Sequence, residues 1–317
     1  MSERAGSVPA AFWELTKPRL SFLSVLTALA GYFCSEPSQA TQPKVLVSLA
    51  IGTALAAGGC GAINMWWDSE PDAKMERTRN RPIPAGIIHP GAALLFGMLL
   101  LSLGVVLVWI GANPLAGALT AATAVSYLFF YTPLKTMTSW CTLVGSLPGA
   151  IPPIIGTAAK LGHTVNKLGV IEGPHIDRMG WLLFALLFFW QIPHFMALAF
   201  LWREDYARGG FKIVTVGDPS GRSASVWAMA FILPMIVVAG ELVRTFFEPA
   251  CASSLKGWAS PFLWISFIAG AWFFKLTLEF ALPQRRAAVA KPLFLASILY
   301  LPVVLLTLTL NRILVRS

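Results

Sequence analysis

The chain has 317 residues, 56 % of them hydrophobic and only 12 % charged, with a mean hydropathy of +0.68. That is too apolar for a soluble domain of this length and marks an integral membrane protein. The net charge of +9 is spread over Lys and Arg in short loops without a basic arm, which speaks against nucleic acid as a partner and for the positive-inside bias of membrane chains.

The first residues carry no signal-peptide pattern: the first long apolar run begins at Leu20 and continues as a spanning segment. They read as a short lead-in, about residues 1–17, on the inner side of the membrane. Taking apolar runs of about 17–25 residues as spans, the sequence predicts nine, at about 18–35, 44–67, 90–111, 114–131, 139–159, 179–201, 224–243, 258–280 and 293–311. The expected class is all-α, one polytopic membrane domain over residues 1–317. Four cysteines (Cys34, Cys60, Cys141, Cys251) stand far apart, without C-x-x-C spacing, and predict neither a disulfide framework nor a metal cluster.

The second span runs into N-M-W-W-D-S-E-P-D-A-K-M-E-R-T-R-N-R-P-I-P-A-G (Asn64 to Gly86), with four acids and four bases within fourteen residues. If the helix continues, Asn64, Asp68 and Asp72 stand at i, i+4 and i+8, drifting about 40° and rising ~6 Å per step. One face then carries three oxygen ligands of the kind Mg2+ accepts alongside substrate phosphates. Arg77 and Arg81 repeat the four-residue spacing, and their guanidinium forks match phosphate oxygens. Pro71 puts a kink before Asp72 within reach. The plain alternative is a solvated, salt-bridged loop.

After the fourth span, Y-T-P-L-K reads as a brief loop with Tyr131 and Lys135, the lysine a point charge for phosphate. The fifth span contains G-S-L-P-G-A-I-P-P-I-I-G (Gly145 to Gly156), which predicts either a broken, strongly bent helix or close helix packing through small residues. In the sixth, W-Q-I-P-H-F-M-A-L-A places Gln191 and His194 in apolar surroundings, three residues apart on one face, and intramembrane ionisable groups mark function by default. The following loop, W-R-E-D-Y-A-R-G-G-F-K-I-V-T-V-G-D, opens a second acidic patch at Asp205, built like the one at Asp68. With the N-terminus inside, inner segments carry fifteen Lys and Arg and outer segments eight. That bias places loops 68–89, 132–138 and 202–223 on one inner face.

Together, N-x-x-x-D-x-x-x-D with R-T-R-N-R-P-I-P-A-G, then Y-T-P-L-K, W-Q-I-P-H-F and D-Y-A-R-G-G resemble the intramembrane prenyltransferases of the UbiA superfamily, and within it the branch whose acceptor is heme. The resemblance covers nearly the whole chain from T-K-P-R (Thr16 to Arg19). It implies nine helices around a central cavity open laterally to lipid. By residue match it implies Mg2+ on Asn64, Asp68, Asp72 and Asp205, and diphosphate on Arg77, Arg81 and Lys135. It sets His194 and Gln191, with Tyr206 and Arg208, toward the heme, and offers Trp66, Trp67 and Phe195 as rings that steady a passing cation. The second acidic motif of the wider superfamily needs an acid at 209, where this chain has Gly209. The implied reaction is transfer of farnesyl from farnesyl diphosphate to a vinyl group of heme b with addition of water, giving heme O, with a heme A synthase as recipient. The implied location is a bacterial plasma membrane or a mitochondrial inner one. Competing readings are an aromatic acceptor for quinone synthesis, a transporter with broken helices, and an assembly subunit.

Overall fold

A computed structural model describes residues 7–35, 41–161, 164–165, 171–251 and 261–314. It is helical throughout, apart from a two-residue antiparallel pairing of β1 (Thr164–Val165) with β2 (Ile171–Glu172). In chain order the first helices are α1 (Val8–Leu15), α2 (Pro18–Cys34), α3 (Pro43–Trp67), α4 (Ser69–Lys74), α5 (Pro90–Gly111) and α6 (Pro114–Val125). A π turn (Ser126–Tyr131) leads into α7 (Thr132–Met137), α8 (Cys141–Ala150) and α9 (Pro152–Lys160). Then come α10 (Arg178–Leu201), α11 (Arg203–Arg208), α12 (Val214–Gly217), α13 (Arg222–Cys251), α14 (Pro261–Ala281) and α15 (Arg286–Leu314).

Proline opens α2, α3, α5, α6 and α9, at the one helical position where a missing N–H costs nothing. Asn113 and Asp177 cap α6 and α10 by accepting the amides of Ala116 and Gly180. Among the described residues eight helical stretches are long and apolar enough to cross a membrane, and α2 adds a ninth, shorter apolar helix. They correspond one to one with the predicted spans. The predicted start of the eighth, at 258, lies outside the described residues, as do His163, Lys167, Lys256 and the side chains of Cys251 and Arg316. Cys60 and Cys141 are free thiols.

Three boundaries differ from expectation. The fourth span does not end in a loop at Tyr131: the helix widens into the π turn and continues through Y-T-P-L-K to Met137. Bonds to the fifth residue back absorb Pro133 without a break, and Thr132 gives both its amide and its hydroxyl to the Tyr127 carbonyl. The seventh span begins at Arg222, two residues early. The ninth begins at Arg286 rather than 293, because the buried Arg286 guanidinium bonds the Phe280 and Ala281 carbonyls ending α14, together with Ser220 O and Ser225 Oγ. The fifth span breaks at Ile151, between α8 and α9.

Small residues set the helix spacing. Gly156 of α9 lies against the Ala28 carbonyl of α2 and Gly31 against the Pro153 carbonyl, with no room for a Cβ on either. Gly59 and Gly104 do the same for α3 and α5. The largest core cluster joins α10, α13, α14 and α15; a second lies among α2, α3, α6 and α9. Leu99, Ile110, Val237 and Phe267 are exposed on outer faces, as surfaces bathed in lipid require.

Candidate active site

The site is built where α3 turns polar. Asn64 (3 % exposed), Asp68 (6 %) and Asp72 (1 %) follow an apolar run. The amide of Asp68 bonds the Asn64 carbonyl at 2.9 Å, and that of Asp72 bonds the Asp68 carbonyl at 2.8 Å. Helical bonding thus carries through, although Asp68 itself relaxes (φ −84°, ψ 5°) and α4 restarts at Ser69. The restart puts Pro71 in a first turn, where its ring interrupts nothing.

Carboxylates this deep need cationic partners, and each has one. Lys135 Nζ pairs with Asp68 Oδ2, and Arg81 Nη1 lies 2.6 Å from Asp72 Oδ2. Asn64 Nδ2 donates to Asp68 Oδ2 at 3.0 Å and to Thr132 Oγ1 at 3.2 Å. The Lys135 ammonium also lies over the rings of Tyr131 (5.2 Å) and Phe211 (5.5 Å). So two of the three bases expected to grip phosphate, Lys135 and Arg81, are held by acids expected to hold metal.

The three loops meet. Asp205, 3 % exposed, accepts the Glu76 amide on Oδ1 and the Arg77 amide on Oδ2, each at 3.2 Å, and Arg208 Nη2 on Oδ1 at 2.5 Å. Burial raises its pKa, but the Arg208 hydrogen bond and the two amides outweigh that and hold the carboxyl below its ordinary range. Arg77 is exposed with its guanidinium 5.8 Å from the Trp202 ring. The Lys212 amide bonds the Lys135 carbonyl at 2.8 Å. Arg208 reaches Glu76 at 3.3 Å as well. Tyr206 is half-buried with its ring against Phe211, and burial pushes its hydroxyl up.

Lys17 enters unannounced by the sequence. Its Nζ donates to Asn64 Oδ1 at 2.5 Å. Burial, then the neighbouring Arg81 and Lys135, lower its pKa to about 7. Its backbone is left-handed (φ 47°, ψ 60°) directly before Pro18, a conformation the residue before proline ordinarily avoids. The signals in the sequence are a lysine abutting the first span and its place in T-K-P-R, where the resemblance begins. Thr132 and Phe211 were likewise not singled out.

Gln191 and His194 bond to different neighbouring helices. Gln191 Nε2 spends its hydrogens on the Ser146 and Leu187 carbonyls, fastening α10 to α8. His194 turns instead to α15, with Nδ1 2.7 Å from Ser297 Oγ. It stands seven residues before the end of α10, roughly 10 Å along the axis. Phe195 meets the imidazole edge-on. Trp66 packs against the cluster that joins the α1 residues Ala11 and Leu15 to Ala62 and Met65, and Trp67 is 43 % exposed. The rings beside the charged mouth are Tyr131 and Phe211.

The sequence model of the UbiA prenyltransferase family matches residues 24–298. The chain belongs to the UbiA prenyltransferase family. A protoheme IX farnesyltransferase of Opitutus terrae is 38 % identical over 95 % of this chain and 94 % of its own length. Two solved structures share the family fold at low identity. One is of a digeranylgeranylglyceryl phosphate synthase: TM-score 0.72, 15 % identity, covering 96 % of this chain and 99 % of that one. The other is a UbiA homolog from Archaeoglobus fulgidus bound to GPP and Mg2+: TM-score 0.60, 13 % identity, covering 94 % and 99 %.

The donor set at the end of α3 fits Mg2+, a hard cation that takes few protein oxygens and shares substrate phosphates. Asp68 and Asp72 each use Oδ2 for internal bonds and keep Oδ1 without a hydrogen bond among the described residues. Among those residues no three of His, Cys, Asp and Glu close around an ion.

Proposed function

We propose that this chain transfers farnesyl from farnesyl diphosphate to a vinyl group of heme b, yielding heme O and diphosphate. The observation that carries the reading is the mouth in which Asp68 is paired with Lys135 and Asp72 with Arg81, on a chain similar throughout to protoheme IX farnesyltransferases. Asn64, Asp68 and Asp72 would hold Mg2+, which when bound neutralises part of the diphosphate charge. Asp205 contributes to it only through the acceptor position that its three hydrogen bonds leave.

On binding, the partners exchange. With the cation and diphosphate bound, Asp68 and Asp72 would serve the cation, and Lys135, Arg81, Arg77 and Lys17 would serve diphosphate oxygens. Positive groups in this water-poor pocket stabilise the charge that develops as the C1–O bond of the donor breaks. The farnesyl carbon bonds to the terminal vinyl carbon of heme b. Water adds its oxygen to the adjacent carbon and gives up a proton. Tyr131 and Phe211 offer π faces to the passing allylic cation. Heme b lies against the α10–α15 face that carries His194 and reaches toward Tyr206 and Arg208 of α11, while Gln191 holds α10 to α8.

The loops face the cytoplasm of a bacterial plasma membrane in this reading, supported by the fifteen-to-eight bias of Lys and Arg. A heme A synthase is the proposed recipient of the product. The test is a detergent-purified assay with heme b, farnesyl diphosphate and Mg2+, following heme mass and diphosphate together. A mass gain of farnesyl plus hydroxyl is expected. Diphosphate release with unmodified heme would move the acceptor to another class, and neither signal would sink the transferase reading.

A further inference from the structure

The His194 ring is stacked between Trp190 (centroids 5.1 Å apart, planes 21°) and Phe294 (5.0 Å, 28°). One edge of it meets Ser297, which is fully buried in α15. Ser297 makes three polar contacts. Its carbonyl accepts the Trp190 indole N–H at 3.0 Å, its Oγ lies 2.6 Å from the Phe294 carbonyl, and the same Oγ lies 2.7 Å from His194 Nδ1.

A hydroxyl has one hydrogen to give. Two oxygens 2.6 Å apart are held by a hydrogen between them, and the Phe294 carbonyl has none, so the Ser297 proton is committed there. Toward His194 the serine therefore offers a lone pair. Nδ1 must carry the hydrogen of that contact, and in a neutral imidazole Nε2 is then the bare nitrogen. The two stacked rings hold the plane, so one tautomer and one direction are selected together.

We infer that Ser297 is a positioning residue for the acceptor: it locks His194 as the Nδ1–H tautomer and aims the Nε2 lone pair at the iron of heme b. The inference rests on the reading above that heme b is the substrate and docks against His194. Fixing the second nitrogen of a histidine ligand sets both its tautomer and its basicity. The role belongs to the hydroxyl alone. The indole bond goes to the Ser297 carbonyl, which any residue at this position supplies, so Ser297→Ala removes the lock and spares the α10–α15 contact.

The experiment uses the full-length protein in detergent, labelled with 15N-histidine and titrated with heme b. Before heme is added, the His194 signal, identified by its loss in His194→Ala, should show a protonated Nδ1 and a bare Nε2. Ser297→Ala should mix the tautomers, shift the Soret band and weaken heme binding about tenfold, with farnesyl diphosphate affinity unchanged. Ser297→Thr, which keeps the hydroxyl, should restore tautomer and spectrum; if its added methyl prevents folding, the wild-type tautomer decides alone. An Nε2–H tautomer in the wild type overturns the inference. So does a Ser297→Ala protein with unchanged tautomer, Soret band and affinity while His194→Ala alters the heme spectrum; heme then remains the substrate. A His194→Ala protein with an unaltered heme spectrum overturns the inference and the placement of heme on this face together.

Discussion

Asp68 is the residue on which the mouth turns. Its charge is buried beside Lys135 and Asn64, so Asp68→Asn removes a proposed metal ligand and strands an ammonium at once. Turnover should fall below detection. Breaking a buried pair costs about 3–5 kcal/mol, so the thermal midpoint should drop too, and Asp68→Asn combined with Lys135→Met should regain stability but no activity. Activity retained in the single variant would remove Asp68 from the metal site. Lys17 makes a second prediction. With its pKa lowered to about 7, it is largely neutral in the free protein above that pH, while a bound diphosphate favours the charged form. Binding should therefore take up a proton, and affinity should decline as pH rises above 7. Calorimetry in buffers of different ionisation enthalpy reads this directly, and Lys17→Met should abolish the proton uptake; an unchanged uptake would assign the effect elsewhere.

Among the elements, α4 and α11 do the same work. Each is a six-residue helix that follows a long span and carries a buried acid, Asp72 in one and Asp205 in the other, and Asp205 ties the second to the loop after the first. Because the Asp205 pKa is depressed on folding, its contribution is present above the unfolded value near 4 and is lost as pH falls through the folded value. Protection of the Glu76 and Arg77 amides, corrected for the intrinsic exchange rate, should therefore fall on acidification below about pH 4. At neutral pH, Asp205→Asn should show the same loss of protection and a raised KM for farnesyl diphosphate. Unaltered protection in the variant would leave Asp205 without a clamping role. The break between α8 and α9 was readable because proline and glycine act locally. The π turn was not, since the same Y-T-P-L-K suits a loop or a widened helix, and only the fit of Thr132 and Lys135 to the end of α3 selects the helix.

At the scale of the whole molecule, the ends of α3, α7 and α11 meet at one charged mouth, where Asp68 pairs with Lys135 and the Lys212 amide after α11 bonds the Lys135 carbonyl. Chelation by EDTA should stop farnesyl transfer and Mg2+ should restore it, while heme binding to the α10–α15 face persists throughout. Transfer indifferent to EDTA would undo the metal argument. Loss of heme binding under EDTA would mean that the two substrates share one site more closely than the separation of His194 from the end of α10 implies.

Sequence alone determined the membrane class, the spans and the residues of the charged mouth, because hydropathy run length and four-residue acid spacing are local properties of a chain in lipid. It located Asn64, Asp68, Asp72, Arg81, Lys135 and Asp205 but not their pairing, which joins positions far apart along the chain. Tertiary structure decided that Lys17 belongs with them, that Asp205 fastens a loop, that Gln191 and His194 part to different neighbours, and that Ser297 faces the histidine. Each of those follows from which helix packs against which, and no periodicity within a single helix records the side chain waiting on the next.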